Sequence, residues 1–240
     1  MKYYLLVIII TVFVFASCKK TNSSNARVLF YNATWSLPAF TVAWNGGAIV
    51  TTGIAPGQSS GTADSPYVQV PAGTNLVTLK AGATTLLDKN IYTASAAGNS
   101  FFLYDTGSTR GATGILQLND DLALPDTAQI KYRILDLSPD TAVTVDIWLV
   151  NGTADSIRLD TAATFIGKNA AVVSYETFSA MKYHGERYTI KVKKTGTQQL
   201  YASIANYSFA IRGIYTIVFS GLLKGTAGTA LKLSVLHHRT

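Results

Sequence analysis

One cysteine, three histidines and two glutamates are a sparse supply, over 240 residues, of side chains from which enzyme and metal sites are often built. The single thiol, Cys18, forbids an intrachain disulfide, so stability has to come from ordinary apolar burial. His237 and His238 are adjacent; on a strand they point to opposite faces and cannot readily share a metal, so they read as a polar C-terminal tail. His184 stands beside Gly185 in an expected turn. Glu176 and Glu186 are the only glutamates, which weakens a two-carboxylate glycosidase reading. A phosphate loop and a nucleophile elbow are also absent. The expectation is a non-enzyme, with no catalytic residue, no metal and no cofactor.

Long apolar runs are absent except at the start. Tyr3 to Ala16 is apolar over fourteen residues, short of the roughly 20 that cross a hydrocarbon core. With Lys2 ahead of it and Phe15, Ala16, Ser17, Cys18 behind it, the stretch resembles a bacterial lipoprotein signal, in which the cysteine is lipidated and becomes the new N-terminus. Residues 1–17 are then a signal peptide and 18–25 the lipidated Cys18 and a polar tether.

Regular helix is missing too. Short runs of strand residues recur between turn formers, the pattern of all-β sandwiches. Phe40 to Trp44, then Asn45-Gly46, then Ala48 to Thr52 read as a hairpin closed by a type I′ turn. Gly53 to Pro66 has no periodicity and reads as loop. Ala171 to Tyr175 is expected as a strand, and Thr177 to Tyr183 is the one place where a helical turn is expected. Ala26 to Trp44 is a degraded copy of Ala128 to Val150, so the chain is one unit used twice. Trp44 stands 104 residues before Trp148, yet strand parity pairs Trp44 with Leu149 instead, and both registers stay open. The division is 26–118 for the first sandwich, 119–127 for a linker and 128–240 for the second.

Charge divides unevenly between the copies. Residues 26–127 carry a net −2 and residues 128–240 a net +6. A basic half suits anionic polysaccharide, lipid headgroups or nucleic acid; export makes nucleic acid the least suitable of the three, and none is expected as a partner.

Lys131 to Asp140, KYRILDLSPD, followed by Val145, Asp146, Ile147 and Trp148, resembles the opening signature of the domain of unknown function 4397 (DUF4397) family. Val70 to Thr74, and Gly213 to Ile217 with Gly221, resemble further blocks of it. The resemblance implies two tandem immunoglobulin-like antiparallel β-sandwiches in an exported lipoprotein of the Bacteroidetes type, and it implies no activity. Ser138, Pro139 and Asp140 form its turn motif; Pro139 presets φ and the flanking oxygens cap nearby N–H groups, so the motif is read as structural.

Candidate binding residues are then few. Trp35 sits in a loop, whereas Trp44 and Trp148 are read as core. Arg187, Lys191, Lys193 and Lys194 are the densest basic patch, on the outer side of one strand and its turn. Asp120, Asp121 and Asp126 are weighed as a calcium site and read as a solvated linker, because EF-hand spacing is missing. The resulting expectation is a lipid-anchored binding, adhesion or scaffold module of the outer membrane, favouring the periplasmic face, with polysaccharide or an envelope protein as partner. A hydrolase with an unrecognised site and a plain spacer are the alternatives.

Overall fold

The computed structural model describes residues 25–62, 65–107, 111, 113–139, 144–152, 155–166, 173–226 and 229–239. Cys18, the signal segment and Asp140 lie outside the described residues.

Among the described residues, sixteen strands fall into two sets of eight with the same plan. The first set is β1 (Asn25–Asn32), β2 (Phe40–Trp44), β3 (Gly47–Ile54), β4 (Val68–Pro71), β5 (Gly73–Ala81), β6 (Thr84–Thr93), β7 (Gly98–Asp105) and β8 (Thr113–Asp120). The second is β9 (Gln129–Leu137), β10 (Val145–Asn151), β11 (Asp155–Ala163), β12 (Ser179–Lys182), β13 (Arg187–Lys194), β14 (Leu200–Ser208), β15 (Ile214–Ser220) and β16 (Lys232–Arg239). Sheets β4-β1-β7-β8 and β3-β2-β5-β6 make the first sandwich; β12-β9-β15-β16 and β11-β10-β13-β14 repeat them with every label raised by eight. Pairing is antiparallel except between β1 and β7, and between β9 and β15, which run parallel. The fold is thus the expected pair of β-sandwiches.

Local chemistry explains the strand ends. Asn45 and Gly46 both take positive φ, 49° and 80°, as the type I′ hairpin between β2 and β3 requires. Gly73 at φ 103° turns the chain after Pro71 ends β4. The copies align at an offset of 104 residues in β1 and β9, where Asn32 and Asp136 each accept the backbone N–H two residues on. In β2 the inward side chains are Phe40, Val42 and Trp44; in β10 they are Val145, Ile147 and Leu149. That is an offset of 105, so Trp44 corresponds to Leu149 and the extra residue lies between the strands.

The stretch after β11 corrects the sequence reading. Val173–Glu176 forms a single helical turn, α1, where strand was expected, and Ser179–Lys182 is strand β12 where the helical turn was expected. β12 pairs with β9, and Phe178 just ahead of it packs on Arg133, so tertiary contacts outweigh local preference here.

Three cores hold four sheets together. One lies inside the first sandwich, around Phe30, Trp44, Val77 and Phe101. Another lies inside the second, around Ile147, Ile190, Tyr215 and Phe219. The third joins the sandwiches: Leu29, Tyr31, Phe102, Tyr104, Leu116 and Leu118 meet Leu135, Leu137, Ile166, Val218 and Leu236. Sheet β4-β1-β7-β8 is therefore covered on both faces, as is β12-β9-β15-β16. Their central strands show it, since β7 and β15 are buried at every residue. Phe101 stacks on Phe30 at 4.9 Å within its sandwich, while Phe102 meets Tyr31 at 5.8 Å on the shared side.

The expected linker, 119–127, is corrected by the same packing. β8 runs on through Asn119 and Asp120. The rest is clamped by the second sandwich: Lys131 pairs with Asp121 at 2.8 Å and donates to the Ala123 carbonyl, Arg212 to that of Pro125, and Arg239 to that of Leu122.

Candidate functional site

Two polar constellations stand out, one buried at the seam and one on an outer face. At the seam, Arg133 Nη2 lies 2.6 Å from Asp120 Oδ1, and both side chains are almost wholly buried. Isolated, either charge would be very costly there. Asp120 also accepts hydrogen bonds from Ser100 Oγ at 2.6 Å and Tyr67 OH at 2.7 Å. Arg133 Nε donates to Thr216 Oγ1 at 2.8 Å, and the guanidinium lies over Phe178, 4.6 Å from the ring centre.

His238 completes a closed ring, with Nε2 2.6 Å from Thr216 Oγ1 and Nδ1 2.7 Å from Tyr67 OH. Donor counting fixes its tautomer. Arg133 can only donate, so Thr216 accepts from it and sends its own proton to Nε2. Tyr67 sends its proton to Asp120, so its oxygen accepts from Nδ1–H. The imidazole is neutral, and burial holds its pKa down at about 4, with Arg133 and His237 adding to the effect and Asp120 opposing it. His238 is thus no tail, contrary to the sequence reading. It is an interior residue of β16, and His237 beside it points to the opposite face, stacked on Tyr215 at 4.9 Å.

The three linker aspartates do not converge. Asp120 faces the ring, Asp121 faces Lys131, and Asp126 is exposed. Among the described residues no group of three potential ligands could hold a metal ion.

The outer face is built by register. Across sheet β11-β10-β13-β14, Arg158, Trp148, Lys191 and Ser203 stand directly opposite one another. Side chains at paired positions share a face, and the flanking row of Ile157, Leu149, Ile190 and Ile204 has the opposite parity. Trp148 is half-buried rather than core, as the sequence reading had it; its ring lies 5.6 Å from the Arg158 guanidinium and 5.9 Å from Lys193 Nζ. Arg158, Lys191 and Lys193 form no ion pair among the described residues.

Of the basic residues singled out from sequence, Lys191 and Lys193 share this face. Arg187 has the same parity but starts the strand, about 20 Å from Lys193 at the rise of an extended chain, and Lys194 has the other parity. Trp35 belongs to the other sandwich, in the loop after β1, where its backbone N–H donates to Asp105 at 2.6 Å and Ser36 Oγ bonds the same carboxylate. Sequence reasoning missed Arg158 and misplaced Trp148. The alternation Asp146, Trp148, Val150 against Ile147 and Leu149 was the available signal. Ser138 is fully buried; its N–H donates to Asp136 and its hydroxyl to the Gly221 carbonyl, a turn lock and not a nucleophile. Pro139 is half-buried beside it.

Comparison with known proteins adds a family. Residues 26–148 match the family model described as "Domain of unknown function (DUF4397)", which takes in the first sandwich and the second as far as β10. No curated protein matches. Nine solved chains match, among them a leucine-rich repeat protein from Bacteroides thetaiotaomicron VPI-5482, 12% identical over 85% of this chain. This chain spans 27% of that protein's length, and the TM-score of 0.20 is too low to carry a shared fold.

Proposed function

This chain belongs to the DUF4397 family, which is defined by a domain and not by an activity, and from its geometry we propose a non-catalytic binding and scaffold module of the cell envelope. The observation that supports the reading is the outward row of Arg158, Trp148 and Lys191 with Lys193 beside it. Cations on a rigid sheet attract a polyanion, and an indole among them offers flat apolar contact to a sugar ring. The partner proposed is an anionic polysaccharide of the envelope.

Purified protein titrated with polygalacturonate should bind, should weaken as salt rises because exposed charges are screened beyond about 8 to 10 Å, and should lose most affinity in Trp148→Ala and in Lys191→Glu. Binding that ignores salt, or that both variants retain, contradicts the proposal. Preference for phosphatidylglycerol vesicles over polygalacturonate would move the partner from polymer to lipid. Trp35→Ala is expected to leave this binding unchanged.

The anchor proposed is a lipid on Cys18, holding the module at the outer membrane, on its periplasmic face. Cys18→Ser should release the protein from the membrane fraction and abolish incorporation of labelled fatty acid. Retention of either result by the variant refutes the anchor, and cleavage by protease added to intact cells refutes the periplasmic placement.

A further inference from the structure

The seam also carries a cleft, of about 370 Å³, that neither the ring nor the basic face uses. One wall is the 57–62 stretch of the first sandwich, and the other is β16 with Tyr207 of the second; Leu29 and Tyr31 lie between them. Small-molecule sites run from about 300 to 1,000 Å³ and concentrate at domain interfaces.

Hydrogen-bonding groups come from Gln58, Ser59, Thr62, Ser234, Tyr207 and His237, and no Asp, Glu, Lys or Arg contributes. A charged ligand would find no counter-charge, whereas hydroxyls and an amide match the alternating donors and acceptors of a sugar. The Tyr31 hydroxyl makes no well-directed hydrogen bond among the described residues, although Ser234 lies alongside, and burial pushes its pKa up to about 12. Aromatic surface is supplied by Tyr207 and by the His237 ring, itself held against Tyr215.

The walls are also preformed. Gly57 and Ser60 donate to the carbonyls of Asn32 and Phe30, and Asn32 donates to that of Gln58, so an aperiodic stretch is stitched along β1 as an added edge. At Gly61 a side chain would stand 2.2 Å from the Ser65 carbonyl oxygen, so only glycine permits that close approach.

We infer that this cleft is a binding site for a neutral sugar unit, held by Gln58 and Ser234 with Tyr207 as the aromatic wall. It is separate from the polyanion face, and ionic strength distinguishes the two. Calorimetric titration of the purified protein with maltohexaose, cellohexaose, mannohexaose and xylohexaose should show binding of at least one, unchanged between low and high salt. Gln58→Ala should weaken it about tenfold, the scale of a lost polar contact, and Thr62→Trp, which adds bulk at an exposed rim, should abolish it. Lys191→Glu should leave it intact. No binding across the panel, or binding that survives Thr62→Trp, overturns the inference; binding that falls with salt or with Lys191→Glu assigns the sugar to the basic face and overturns it equally.

Discussion

Asp120 is the residue on which the seam depends, because its carboxylate neutralises Arg133 and receives Ser100 and Tyr67. Asp120→Asn leaves a guanidinium buried without its counter-charge and should cost about 3–5 kcal/mol in chemical denaturation. Replacing both partners, Asp120→Leu with Arg133→Met, should recover much of that loss, since a buried pair adds little over a well-packed apolar one. His238 makes the seam acid-sensitive. Its pKa lies at about 4 in the folded protein and near 6.5 unfolded, so the unfolded chain binds the extra proton between those values. Stability is therefore full above about pH 6.5 and declines as the pH falls towards 4, by about 3 kcal/mol in order of magnitude. Melting temperatures across that range should show the decline, and His238→Gln should flatten it. None of this was legible in the residues. Asp120 and Arg133 are ordinary polar positions on consecutive strands until the distant β16 brings His238 to them, whereas the Ser138 backbone contact to Asp136 lies within one turn.

Strands β7 and β15 are the most deeply buried of the two sandwiches, buried at every residue. Ser100 to Tyr104 and Ile214 to Phe219 are near-continuous apolar runs, the mark of a strand covered on both faces. That signal stood in the sequence beside others that identified strands correctly, and it foretold the third core that the reading of two separate sandwiches left out. Phe102 tests it. Its ring faces Tyr31 and Arg133 on the shared side and not the interior of its own sandwich, so Phe102→Ala should cost about 3–5 kcal/mol, as much as a central core residue. An effect below about 1 kcal/mol, the scale of a surface position, would place the ring outside any core. The misread helical turn has the same origin: β12 is an edge strand of four residues, Ser179–Lys182, whose placement comes from pairing with β9 and not from its own composition.

At the scale of the molecule, duplication has produced two sandwiches fused through a shared core, with the ion pair and His238 set at its margin. The copies have diverged at the surface, the first half bearing −2 and the second +6. Fusion brings residues of both sandwiches to the walls of the cleft, while the basic row lies on sheet β11-β10-β13-β14, away from the shared core. The most direct test is equilibrium unfolding in urea read from each sandwich separately. One variant keeps Trp148 as the only tryptophan, through Trp35→Phe and Trp44→Phe; the other, Trp148→Phe, reports from the first sandwich alone. A single body gives coincident transitions with the same midpoint and slope. Two separated transitions would show that the sandwiches unfold independently, and would contradict the shared core.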